Sequence, residues 1–117
     1  MASTDPTCRV CGRAIDASRA AGGRKVCSAA CRKQGVRPLD RELEVAILEL
    51  LESRARRATI CPSDAARRLR AEDWRPLMER ARRAARRLVA EGRLEILQGS
   101  RVVDPSTAKG PIRLRLP

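Results

Sequence analysis

The sequence predicts an α+β fold, mostly α, built from two consecutive parts, and three observations carry that prediction. Four of the five cysteines fall in two close pairs before residue 38. Apolar residues then recur with helical period from residue 40 to residue 91, in three blocks separated by helix-start signals. After Gly92 the period changes to strand-like alternation around a glycine turn. A chain of 117 residues has room for one domain or two very small ones.

The first part, residues 1–38, carries eight basic residues and two acids, and its apolar content is mostly alanine. Val10, Ile15, Val26 and Val36 are its main larger apolar groups besides cysteine, too few to fold it by burial alone, so it needs a staple. Cys8-x2-Cys11 and Cys27-x3-Cys31 supply one at metal-ligand spacing. Cys8-Arg9-Val10-Cys11-Gly12 predicts a tight knuckle that turns both sulfurs to one side, with Gly12 taking the positive φ of the turn. Cys27 and Cys31 lie one helical turn apart, so a helix starting near Ser28 presents both to the same ion. Four soft thiolates favour structural Zn2+, and a closed shell leaves no water to activate. Two disulfides, an iron–sulfur centre or four metal-free thiols are the alternatives. Disulfides need an oxidising compartment, and Met1–Pro6 has no basic start leading into an apolar run, so no signal peptide and a cytoplasmic location are expected. Arg32–Pro38, punctuated by Gly35 and Pro38, reads as a linker.

The second part, residues 39–117, is read in order. Asp40 caps a helix reaching about Arg54, with Leu43, Ala46, Ile47, Leu50 and Leu51 on one face and Glu42, Glu44, Glu49 and Glu52 on the wetter sides. Ala58–Ile60 forms a brief strand. Pro62 stands at the first position of a short second helix to about Leu69, with Asp64 near its positive end and Cys61 as a small half-buried residue before it. A third helix starts near Asp73, which leaves Pro76 in the first turn where its missing N–H is tolerated. Trp74, Leu77, Met78, Ala81, Ala85, Leu88 and Val89 form its apolar stripe, and Trp74 is the expected core anchor. Gly92 closes it. Leu94, Ile96 and Val102 then flank the hairpin turn Gln98-Gly99-Ser100, and Gly110–Leu116 alternates as a half-buried strand. Helix, short helix, longer helix, hairpin is the order of a winged helix-turn-helix domain, and a small helical bundle with an added hairpin would give a similar string.

Charge and missing residue types narrow the function. The 26 lysines and arginines outnumber 14 acids, a net charge of +12, and the two parts contribute equally. Such a surface attracts polyanions. Four thiolates and one divalent ion would lower +12 to about +10. Arg9, Arg13, Arg24, Lys25, Arg32 and Lys33 either offset that local negative charge or contact phosphates. With no histidine there is no Ser-His-Asp triad and no imidazole chemistry, and a non-catalytic protein is expected. One aromatic ring excludes a multi-ring stacking platform, and no apolar run is long enough to span a membrane.

In the winged-helix reading the third helix enters the major groove. Arg75, Arg82, Arg83 and Arg86 on it, Arg67 and Arg68 at the end of the second helix, and Arg101 in the wing are the candidate nucleic-acid contacts, arginine suiting both guanine and phosphate. A solvated basic face is the competing role for any one of them. The expected partner is double-stranded DNA, in a small transcription regulator or accessory binder. The rivals are a protein-interaction module docking through the wing or C-terminal strand, and an RNA- or ribosome-associated binder.

Several motifs in order give a resemblance over residues 40–116. Ile47-Leu48, Thr59-Ile60-Cys61-Pro62-Ser63-Asp64-Ala65-Ala66-Arg67, Trp74-Arg75-Pro76-Leu77-Met78, Gly92-Arg93-Leu94-Glu95-Ile96 and Gly110-Pro111-Ile112-Arg113-Leu114 resemble an uncharacterised bacterial domain family that is winged-helix-like. That resemblance implies the fold; the family has no established function. Cys8-Arg9-Val10-Cys11-Gly12-Arg13 and Cys27-Ser28-Ala29-Ala30-Cys31-Arg32 resemble small bacterial zinc-binding domains of unknown function, with Ile15, Ala20 and Val26 where those usually carry aromatic residues.

Overall fold

The computed structural model describes residues 6–23 and 25–117; Arg24 and the first five residues, on which part of the signal-peptide expectation rests, lie outside the described residues. The chain forms helices α1 (Ala17–Ala21), α2 (Ala29–Gln34), α3 (Pro38–Glu52) and α4 (Pro62–Leu69), a 3-10 turn Arg75–Leu77, helix α5 (Met78–Ala90), and strands β1 (Glu95–Gln98), β2 (Arg101–Val102) and β3 (Arg113–Arg115). No described helix is long and apolar enough to cross a membrane.

Residues 6–36 fold around the cysteines. Antiparallel pairing of Thr7 with Ala14 brings the strand ends together, and Cys8 and Arg13 close the knuckle with a 2.8 Å backbone bond. Ser28 caps α2, its hydroxyl accepting from the Cys31 N–H at 3.1 Å. Cys8, Val10, Cys11, Ile15, Val26 and Cys31 make a small core of their own. The expected linker is shorter than its Gly and Pro suggest. Helix α2 takes residues up to Gln34, so only Gly35–Arg37 separate it from α3.

Helix α3 begins two residues before Asp40, which changes that residue's part. Arg37 is the N-cap, Pro38 stands in the first turn, and the Asp40 carboxylate reaches back to accept from the Arg37 N–H at 2.7 Å. Helix α4 repeats the device: Cys61 is the N-cap and its N–H donates to Asp64 at 2.9 Å. Leu43, Ala46, Ile47 and Leu51 of α3 meet Ala65 of α4 and Ala81, Ala84, Ala85 and Leu88 of α5 in the main core. The alanines let the three helices approach closely, and Ile60, Leu94, Ile96, Ile112 and Leu114 cover the remaining side.

The sheet runs β2–β1–β3, all antiparallel, with Gln98 opposite Arg101 and Ile96 opposite Leu114. The expected turn is tighter than Gln98–Ser100: Gln98 belongs to β1, and Gly99 at φ 62° with Ser100 makes a two-residue turn to β2. The brief strand expected at Ala58–Ile60 is reduced to one paired residue, Ile60, which exchanges both backbone bonds with Leu114. Beside it, the Thr59 carbonyl and hydroxyl accept from the Arg113 guanidinium, at 3.1 and 3.0 Å. The C-terminal strand therefore lies between Ile60 and the hairpin.

Candidate metal centre and basic surface

The knuckle and the first turn of α2 converge on one point. The four sulfurs of Cys8, Cys11, Cys27 and Cys31 all lie within 4.8 Å of one another, and Cys11–Cys27 and Cys27–Cys31 are each 3.5 Å apart. Tetrahedral Zn–S bonds of about 2.3 Å place neighbouring sulfurs about 3.8 Å apart, so this arrangement is close to a coordination shell. None of the cysteines is bonded to another. Residue Cys61, at the N-cap of α4, stands outside the cluster.

The backbone is arranged to hold thiolate. Val10 and Cys11 N–H groups point at the Cys8 sulfur, at 3.4 and 3.5 Å. Burial pushes the Cys8 thiol up, but N–H groups of Cys11, Cys27 and Val10 outweigh it and bring the group down to about 6. Cys11 goes the other way. Burial and the neighbouring Cys27 and Cys8 outweigh its contact with the Arg13 backbone and push it up to about 12. Burial likewise raises Cys31. Burial, with a smaller contribution from the other sulfurs, thus opposes a second and third negative charge that a bound cation would favour, and these four side chains can hold a metal ion.

The knuckle is fastened to α5 by the last two arginines of its outer face. Arg86 donates from Nε to the Cys11 carbonyl at 2.6 Å, and Arg87 donates to the Val10 carbonyl at 2.6 Å. Arg87 also pairs with Glu44 at 2.7 Å, while Arg80 pairs with Asp40 at 2.9 Å. Arg86, Arg87 and Asp40 are each 5% exposed and Glu44 is 7% exposed. Gly12, at φ 76°, lies so close to α5 that a Cβ there would stand 2.5 Å from the Arg86 main chain. Between the two halves Ala14 N–H also donates to the Ser106 hydroxyl at 2.8 Å.

Two expectations are corrected here. Arg86 leaves the set of candidate nucleic-acid contacts, because the knuckle sits on the part of α5 from which it projects and its guanidinium is spent on Cys11 and Glu79. Burial lowers its pKa, with Arg13 adding to the effect and Glu79 opposing it. Glu44 does not occupy a wet side of α3, because Arg87 and Arg41 enclose it.

The other candidates divide by what they touch. Arg68 pairs with Glu49 at 3.0 Å, Arg83 lies 3.7 Å from Glu79, and Arg82 donates to the Gly110 carbonyl at 3.0 Å. Arg67, Arg75 and Arg101 are exposed and have no carboxylate partner among the described residues. Arg67 and Arg75 each lie over Trp74, their guanidinium carbons 4.3 and 4.8 Å from the ring centroid. Arg82 and Arg101 are joined through the chain between them. Arg82 holds Gly110, the Gln98 amide donates to the neighbouring Lys109 carbonyl, and Gln98 is the strand partner of Arg101.

Trp74 is thus no core anchor. It is half-buried and outside the main core, and Leu77, three residues on, fills the interior position. The regular helical stripe begins one turn later than its sequence period suggests, because Arg75–Leu77 is a 3-10 turn and α5 starts only at Met78.

Fold and site together define a small α+β protein in which a four-cysteine centre is clamped onto an arginine-rich helix. Residues 40–117 match the model of a family described as "Protein of unknown function (DUF3253)", and the chain belongs to that family. The cysteine cluster lies before the matched region. No match to a curated protein was found.

Proposed function

We propose that this protein is a non-catalytic, winged-helix binder of double-stranded DNA whose cysteine module carries a structural zinc ion. The observation that carries the reading is the distribution of unpaired charge. Arginines on α5 that face the rest of the molecule are matched by Asp40, Glu44 and backbone carbonyls. Those at the α4–α5 turn and the hairpin, Arg67, Arg75 and Arg101, are left unmatched, with Arg82 and Lys109 between turn and hairpin. A surface that leaves its cations without internal partners suits a polyanion, with phosphates supplying most of the affinity. Helix α4, its turn and α5 then serve as the helix-turn-helix and β1–β2 as the wing.

Because the knuckle covers the end of α5, only its first two turns and the preceding 3-10 turn face a groove, which predicts a short base-reading segment and a large non-specific term. Zinc is the reading for the metal because four thiolates at near-tetrahedral spacing are a soft, closed set. Fluorescence anisotropy of a labelled duplex of about 20 base pairs, titrated with metal-loaded protein at several salt concentrations, tests it. Saturable binding that weakens steeply with salt is expected; no saturation at low salt overturns the DNA reading. Val102, 59% exposed on edge strand β2, favours the second reading, a protein partner adding a strand there.

A further inference from the structure

The lone aromatic ring of the protein holds two like charges. Arg67 comes from the end of α4 and Arg75 opens the 3-10 turn, and both guanidiniums rest against the Trp74 ring. Attraction to the ring face localises each cation without using its N–H groups, so their donor forks stay unspent. Three arginines nearby are treated differently, while Arg70 is exposed with neither ring nor carboxylate against it among the described residues. Arg68 is paired with Glu49, Arg80 with Asp40 and Arg83 with Glu79. Glu72 and Asp73 stand within the same turn, yet neither reaches Arg67 or Arg75. The two guanidinium carbons lie at most about 9 Å apart across one ring, and with no carboxylate partner an external anion is their natural counter-charge.

We propose that Arg67, Trp74 and Arg75 form a phosphate clamp, in which the two arginines grip a phosphodiester of a nucleic-acid backbone and Trp74 is the positioning residue that holds them apart and aimed. The proposal rests on the DNA reading and sharpens it: it fixes one contact point, at the entry to α5. Arginine suits it because its planar fork meets two phosphate oxygens at once. The ring itself touches no base.

The test uses the full-length, metal-loaded chain and a mixed-sequence duplex. Trp74 is the sole fluorophore of its kind in the chain, so its emission reports on the clamp while a label on the duplex reports on binding as a whole. The emission is expected to change saturably, with the same midpoint as the anisotropy. R67A and R75A should each reduce the slope of log affinity against log salt by about 1. W74L should weaken binding by about fivefold, with W74F restoring most of the loss because a phenyl ring still attracts cations. R67A and R75A leave the ring in place, so the proposal stays falsifiable if W74L misfolds.

Binding by anisotropy with an unchanged emission and unchanged salt slopes in R67A and R75A overturns the clamp and leaves the DNA reading standing. No binding by anisotropy overturns both. Saturation by inorganic phosphate alone, with no response to the duplex, shows a free-anion site and overturns the assignment to a nucleic-acid backbone.

Discussion

Replacing Gly12 by alanine tests the junction between the cysteine knuckle and α5. The residue sits at φ 76°, where an L side chain costs about 1 kcal/mol or a little more. The added Cβ would also lie 2.5 Å from the Arg86 carbonyl carbon and Cβ and 2.6 Å from the Arg87 nitrogen. Those atoms belong to a helix backbone and cannot swing aside, so the knuckle must lift. Lifting it by about 1 Å would stretch the 2.6 Å bonds from Arg86 and Arg87 beyond hydrogen-bonding range. Overpacking of this kind costs about 1–3 kcal/mol, for a total near 2–4 kcal/mol. Gly23 is the control: it has φ 84° and nothing among the described residues within 4 Å of where a Cβ would stand, so its alanine variant carries the backbone cost alone, about 1 kcal/mol. Urea unfolding of the metal-loaded variants measures the difference. Equal losses for the two variants would refute the close approach of knuckle and helix.

Other outcomes are expected elsewhere in the fold. Arg87→Met leaves the buried Glu44 carboxylate to the exposed Arg41 alone and strands the Val10 carbonyl, and should cost about 2–3 kcal/mol, whereas Arg68→Met, at an exposed pair with Glu49, should change stability by less than about 0.5 kcal/mol; denaturation midpoints decide. Leu77→Ala should lower stability by about 2–5 kcal/mol, and Trp74→Leu by clearly less, because only Leu77 is fully enclosed; a larger loss at Trp74 would restore it to the core. The purified protein should release about one zinc ion per chain to a chromogenic chelator, with Cys27→Ser abolishing retention and Cys61→Ser leaving it unchanged. Chelation should also lower the melting temperature, since the knuckle carbonyls that hold Arg86 and Arg87 lose their support.

Local chemistry was legible in the sequence, and contact between distant segments was not. Cysteine spacing, the Gly12 turn, Pro62 at a helix start and Gly99 in a hairpin are each decided within a few residues, and each stands as expected. Arg86 was misplaced because helical periodicity records which face is apolar, but says nothing of a module from 75 residues upstream that buries a polar face. A trace of that burial was present. Asp40 and Glu44 stand one turn apart on α3, and Arg80 and Arg87 two turns apart on α5, a spacing that matches buried partners as well as solvated ones. Trp74 misled for a related reason. An aromatic residue in register with an apolar stripe looks like core, and only the 3-10 turn reveals that the register had not begun.

The clamp on the knuckle joins residues 75 and 77 positions apart, and this sets an order of events for a chain made from its N-terminus. The cysteines leave the ribosome long before α5 exists. Until α5 exists, the Val10 and Cys11 carbonyls of the knuckle have only water to bond. Only when Arg86 and Arg87 emerge does dry contact replace that water, after a loop closure among the longest in the fold. The cysteine cluster thus depends on local chain alone, whereas its attachment to the helix needs residues made only after most of the protein has been synthesised.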